Sequence, residues 1–141
     1  MAVEYDEIGI WSEVKLAIIR EYAAAYATIM DAQRRSHVRS LRWIYIDAYA
    51  GPGYHLSKTS GEMVEGSPLI ALNVNPPFHE YHFIDTEPRR AEQLRQLAGD
   101  RGDVFTYSEA ATRCCFVTSF HGRNTRIIGE PSVSWILTTS T

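Results

Sequence analysis

Apolar residues recur at helical spacing from Trp11 to Gln33 in two stripes, one of Val14, Ile18, Tyr22, Ala25 and Ile29 and one of Leu16, Ile19, Ala23, Tyr26 and Met30. The spacing predicts a helix that is apolar over a wide arc and must pack against something broad. Ser12 is its expected N-cap, with Glu13 in the first turn and Arg34 and Arg35 at the negative end of the helix dipole. The pattern then shortens. Leu41, Trp43, Ile44, Tyr45 and Ile46 are bulky on both faces, which predicts an interior parallel strand covered by helices on both sides. It ends at Asp47 and a turn carrying Gly51 and Gly53. A polar insertion from Tyr54 to Gly66 delays the next helix, for which Ser67 is the expected N-cap and Pro68 the first position. Leu69, Ile70, Leu72 and Val74 give that helix its apolar side, and Asn75, Pro76 and Pro77 end it. Tyr81 to Asp85 is a second short strand that again closes on a carboxylate. Pro88 opens a helix over Arg89 to Ala98, Gly99 stops it, and Asp103 to Tyr107 is a third strand.

The order α-β-α-β-α-β predicts an α/β fold, because successive right-handed βαβ units lay their strands parallel. Such a chain is the N-terminal half of a Rossmann-like, doubly wound parallel sheet. The expected organisation is a packing helix over residues 1–40, a βαβαβ core over 41–107 and a divergent, poorly ordered tail over 108–141, in which Val133 to Leu137 is a poor fourth strand.

Composition narrows the function classes. The chain has 141 residues, 45% hydrophobic and 22% charged, which suits one soluble domain with one core. A net charge of −3 argues against a protein that lives on the nucleic-acid backbone. The basic group Arg34, Arg35, His37, Arg39 and Arg42 reads as a solvated helix terminus. No apolar run suits a membrane span and the acidic start lacks a basic leader, so the expected location is cytoplasmic. Cys114 and Cys115 are adjacent and lack the spaced partners of a metal knuckle or disulfide framework, and His55, His79 and His82 match no ligand spacing.

In open α/β sheets ligands sit beyond the carboxyl ends of the strands, so the turn after Asp47 is the expected site. Glycines there admit close backbone approach, and Asp47 is able to accept from a ribose, an amine or the loop's own N–H groups. A dinucleotide fingerprint needs a small residue where Leu56 stands, and no helix follows at once. A P-loop built on Lys58 and Thr59 needs glycines where Pro52 and Ser57 stand. The adenosylmethionine pattern, a strand followed by D-x-[FY]-x-G-x-G with an acidic residue closing the next strand, is met by Asp47, Tyr49, Gly51, Gly53 and Asp85.

Three segments, DEIGIWSEVKLAIIREYAAAYATIM, IYIDAYAGPGYHLSKTSGEMVEGSPLIAL and EYHFIDTEP, together resemble the three-Cys-motif partner proteins (TcmP), whose fold is similar to class I S-adenosylmethionine-dependent methyltransferases. The resemblance covers residues 5 to 107 and includes the insertion as well as the turn. It implies a bacterial, methyltransferase-like protein beside a partner carrying a three-cysteine motif, with Asp47, Gly51 and Gly53 cradling S-adenosylmethionine and Asp85 on its ribose. It supplies no substrate. From Ser108 the likeness stops: the adenine-side carboxylate, for which Glu109 stands nearest, and the fourth strand with its D-P-[YF] motif are not in the visible text. A one-base shift of reading frame from Ala111 accounts for this, since codons compatible with Ala111 to Thr141 also spell a helix, a strand and a D-P-Y motif when read from each third base.

Two function classes follow. In the first, the chain is the cofactor-binding half of a methyltransferase, incomplete and inactive in this form. In the second, it is a non-catalytic module that packs against a three-Cys-motif protein. No Ser/His/Asp or Cys/His grouping suggests a nucleophile, and Lys58, Glu62 and Glu65 read as a solvated loop bordering the cofactor mouth.

Overall fold

The computed structural model describes residues 5–36 and 41–108 and the backbone of two further strands, 125–128 and 134–139. In chain order the elements are β1 (Asp6–Ile8), α1 (Ile10–Ser36), β2 (Arg42–Asp47), β3 (Tyr54–Ser57), β4 (Met63–Glu65), α2 (Ser67–Leu72), β5 (Glu80–Ile84), α3 (Pro88–Ala98), β6 (Val104–Tyr107), β7 (Thr125–Ile128) and β8 (Ser134–Thr139). No described helix is long and apolar enough to cross a membrane.

Helix α1 begins before the residue expected to cap it. The Gly9 carbonyl accepts the amides of Ser12 at 3.0 Å and Glu13 at 3.2 Å, so Ser12 lies inside the first turn. At the other end Arg34 and Arg35 both pair with Asp31, one turn back on the same face. Of the two apolar stripes, one is packed: Ala23 and Tyr26 are buried, with Ala27 beside them, and Met30 lies against the same core. The other, Val14, Ile18, Tyr22, Ala25 and Ile29, faces solvent.

Strands β2, β5 and β6 are parallel neighbours, with Asp47 opposite Phe83 and Phe83 opposite Thr106. The sheet is nevertheless mixed, in the order β6-β5-β2-β8-β7, because β8 runs antiparallel to β2 with Ser134 opposite Asp47. The fourth strand expected near Val133 therefore exists from Ser134 onward, but in the opposite direction to a continued parallel sheet. Residues 109–124, 129–133 and 140–141 lie outside the described residues, and with them Glu109, Cys114 and Cys115.

The helices sit on one face of the sheet among the described residues. Trp43, Tyr45, Tyr81 and Phe83 form a core with Ala23, Tyr26 and Ala27 of α1, Ala71 of α2 and Leu94 of α3. The alternate residues Ile44, Ile46 and Ile84 pack with Tyr107 on the other face. Among the described residues, then, helices cover one face of β2, and the reason is handedness. The connections β2-α2-β5 and β5-α3-β6 step the same way along the sheet, so right-handed crossovers place both helices on the same side. Double winding needs a reversal of that step.

The insertion between the glycine turn and α2 is ordered structure. β3 and β4 make an antiparallel hairpin, Tyr54 opposite Glu65, and β1 adds to it in parallel with Asp6 opposite His55. A tight turn closes it: Ser57 donates to Glu13 at 2.6 Å and its hydroxyl accepts the Thr59 and Ser60 amides.

Candidate functional site at the tips of β2 and β5

Asp47 ends β2 and Asp85 directly follows β5, so parallel pairing brings both carboxylates to the same end of the sheet. The strand pairing that puts Tyr45 and Phe83 in the core thereby fixes the position of the two acids.

Asp47 is fully buried. The Tyr49 amide donates to its Oδ1 at 3.2 Å, and the Ser67 hydroxyl donates to its Oδ2. Burial pushes its pKa up to about 6 against the opposing hydrogen bonds from Ser67 and Tyr49, and the nearby charge of Asp85 adds to the rise. Ser67 is thus not the N-cap of α2. That position is taken by Gly66 in extended conformation, without a side-chain cap bond, and the Ser67 side chain turns back to Asp47.

Asp85 organises the turn from the neighbouring strand. Its Oδ2 accepts the Gly51 amide at 3.0 Å and its Oδ1 accepts the Glu87 amide at 2.8 Å. The Ala50 amide donates to the Ile84 carbonyl at 3.1 Å, so the turn is held to β5 by main chain and side chain together. Asp85 is itself buried, and each of its carboxylate oxygens has a second lone-pair position. Tyr49 is exposed.

The glycines of the turn have different reasons. Gly51 has φ +65° and a Cβ there would meet only His55 Cε1 at 3.8 Å, so conformation rather than space calls for glycine. Gly53 is different: a Cβ would lie 3.1 Å from Leu97 and 3.6 Å from Leu69, so its bareness serves close packing against α3 and α2. Gly66, which the sequence reading passed over, is the most constrained, since a Cβ would stand 2.5 Å from the Pro52 carbonyl oxygen. Its amide donates to the Gly53 carbonyl at 2.8 Å and closes the hairpin onto the turn.

His55 lies between these glycines, 3.2 Å from the Cβ position of Gly66, and burial lowers its pKa. Arg90 bridges Asp6 at 2.6 Å and Glu87 at 3.1 Å, tying the small sheet to the start of α3. The other candidates stand elsewhere: Glu65 pairs with Arg20 at 3.3 Å, His79 accepts the Trp43 amide at 3.3 Å, and His82 lies 3.0 Å from the Tyr107 hydroxyl. Ser67 was legible as a helix cap and His55 as a histidine without ligand spacing, and neither signal pointed to the turn after β2.

Four of the five residues read as a site, Asp47, Tyr49, Gly51 and Asp85, meet at one turn, and Gly53 supports it from below. The arrangement brings carboxylate acceptors and glycine backbone together at one strand end. Comparison with protein-family models, with curated proteins and with solved structures finds no match to this chain.

Proposed function

We propose that the tips of β2 and β5 are the nucleoside end of an S-adenosylmethionine site, in a methyltransferase-like, Rossmann-type half-fold of the three-Cys-motif partner kind. In this reading Asp85 accepts ribose hydroxyls, Gly51 presents bare backbone and Tyr49 stands at the mouth. The observation that carries it is the buried Asp85 carboxylate, which stands at a parallel strand tip and holds the turn of the preceding strand through Gly51. Asp85, Gly51 and Tyr49 fit the group. Asp47 and Gly53 act on the loop instead, one buried under Ser67 and the other packed on Leu97. The bound group would supply an electrophilic methyl, and the protein's part in transfer is alignment of the acceptor. The flank of β2 where a parallel fourth strand would bring acceptor-side residues is occupied by the antiparallel β8, so this chain is read as binding without transfer.

The second reading, a non-catalytic module that packs against a three-Cys-motif protein, is favoured by one observation. Both acids already accept amides or hydroxyls of the protein itself, and a purely structural turn needs nothing more. Equilibrium dialysis with methyl-labelled S-adenosylmethionine separates the readings. Saturable binding without label transfer supports the first, and absence of binding by the folded protein leaves the second.

A further inference from the structure

His55 stands where the small β1-β3-β4 sheet meets the turn after β2. A Cβ at Gly51 would lie 3.8 Å from its Cε1 and one at Gly66 3.2 Å from its Nε2, so the ring is seated on the bare backbone of both glycines. Its Nδ1 is buried and meets no hydrogen-bond partner among the described residues. In a neutral ring that atom costs one unshared lone pair, whereas in a doubly protonated ring it becomes a buried, charged N–H without an acceptor. Two charged groups act on the ring. Asp6 of β1 favours the proton by its charge and its main chain, Arg90 of α3 opposes it, and burial outweighs Asp6 in favour of the neutral form. Asp6 and Arg90 are paired with each other at 2.6 Å, and Arg90 also holds Glu87.

We propose that His55 is a pH-sensitive latch: the neutral ring seats the β3-β4 hairpin on Gly51 and Gly66, and protonation lifts the ring, and the hairpin with it, off the turn. The core does not stand in the way, because none of its described members comes from β3 or β4. What else holds the hairpin is polar: the Gly66 amide on the Gly53 carbonyl, the Ser57 hydroxyl on Glu13 and the exposed pair of Glu65 with Arg20. Such a segment opens locally while the sheet stays folded. The sign follows from the direction of the shift. A histidine whose pKa is lowered in the closed form favours closure above 6.5 and loses that contribution as pH falls, by up to about tenfold in the opening constant per pH unit for one proton. Asp47 titrates in the same range with the opposite sign and bears on Gly66 through the neighbouring Ser67, so the latch is read as a difference between parent and His55 variant at each pH.

Nuclear magnetic resonance on the full chain tests this, by following the Cε1–H resonance of His55 and the amide-exchange protection of Gly66, corrected for intrinsic rate, as pH is lowered from neutral. The ring is expected to titrate below 6.5, and protection at Gly66 to fall about tenfold with the same midpoint. His55→Phe keeps a ring and His55→Gln keeps a polar group, and neither titrates. Both are expected to lose the fall at Gly66, while the pH dependence at Tyr45 and Phe83, in the strand centres, stays that of the parent. A ring that titrates at or above 6.5, a Gly66 amide that follows the strand centres at every pH, or a fall that persists in either variant overturns the assignment.

Discussion

The carboxylate of Asp85, at the end of one strand, holds the amide of Gly51, in the turn after the adjacent strand, at 3.0 Å. Because the same side chain also accepts the Glu87 amide, it fixes both the turn that leaves β2 and the start of α3. Asp85→Ala removes an acceptor from two amides at once, and an amide left without a partner costs about 1–3 kcal/mol. Amide exchange at Gly51 and Glu87 is expected to speed up more than at the strand centres, with Asp85→Asn intermediate. Unchanged protection at both amides would remove Asp85 from control of the turn.

Asp47 makes a pH-dependent contribution of defined sign. Its pKa in the folded protein, about 6, lies above the ordinary carboxylate value of 3.8, so its contribution to stability is fully present below the lower value and lost as pH rises through the upper one. The shift corresponds to about 3 kcal/mol. The histidines oppose it: burial lowers the pKa of His55, His79 and His82, so their contribution is present above 6.5 and lost as pH falls. Asp47→Asn isolates the carboxylate. Relative to the parent, the variant is expected to gain stability between pH 4 and pH 7 in urea denaturation, and a constant offset between the two curves would contradict the assignment.

Two glycine substitutions separate strain from crowding. Gly51→Ala meets an open approach at positive φ and is expected to cost about 1 kcal/mol. Gly66→Ala drives a methyl onto the Pro52 carbonyl and is expected to cost more, about 2 kcal/mol or above. Equal midpoints for the two variants in denaturant would mean that the hairpin does not close tightly on the turn.

Exposed apolar surface also bears on stability. Phe105 on β6 and the outer stripe of α1 are in water, and β6 ends the sheet order among the described residues. The isolated chain is expected to unfold over a broad range and to aggregate on heating. A chain translated with the one-base shift from Ala111 is expected to melt in a sharper transition at higher temperature. A sharp, reversible transition of the present chain contradicts this, and a nucleotide sequence that does not spell the D-P-Y text in the shifted frame rules out the frameshift.

Much of the fold was legible because its signals are local. The continuous apolar run of Trp43 to Ile46, the carboxylates ending two strands, and Pro88 opening a helix each report on their own neighbourhood, and the parallel pairing of β2, β5 and β6 follows from the helical crossovers between them. What sequence could not give depends on which groups meet across the fold. Ser67 has the spacing of a cap, yet a buried carboxylate twenty residues away claims its hydroxyl. Gly53 has the spacing of a ligand glycine, yet Leu97 on a distant helix fills its open side. The two stripes of α1 look alike in sequence, and only packing decides which one is covered. β8 was missed in direction because an apolar run carries no sign of whether its neighbour runs with it or against it.

The central claim, that the turn between β2 and β5 holds an adenosine-type ligand through Asp85, is tested most directly by the amide resonances of Gly51 and Glu87 during a titration with S-adenosylmethionine. The account predicts saturable shifts of both in the parent chain and their loss in Asp85→Asn under the same conditions. Resonances that stay in place at millimolar ligand while the protein remains folded would contradict it.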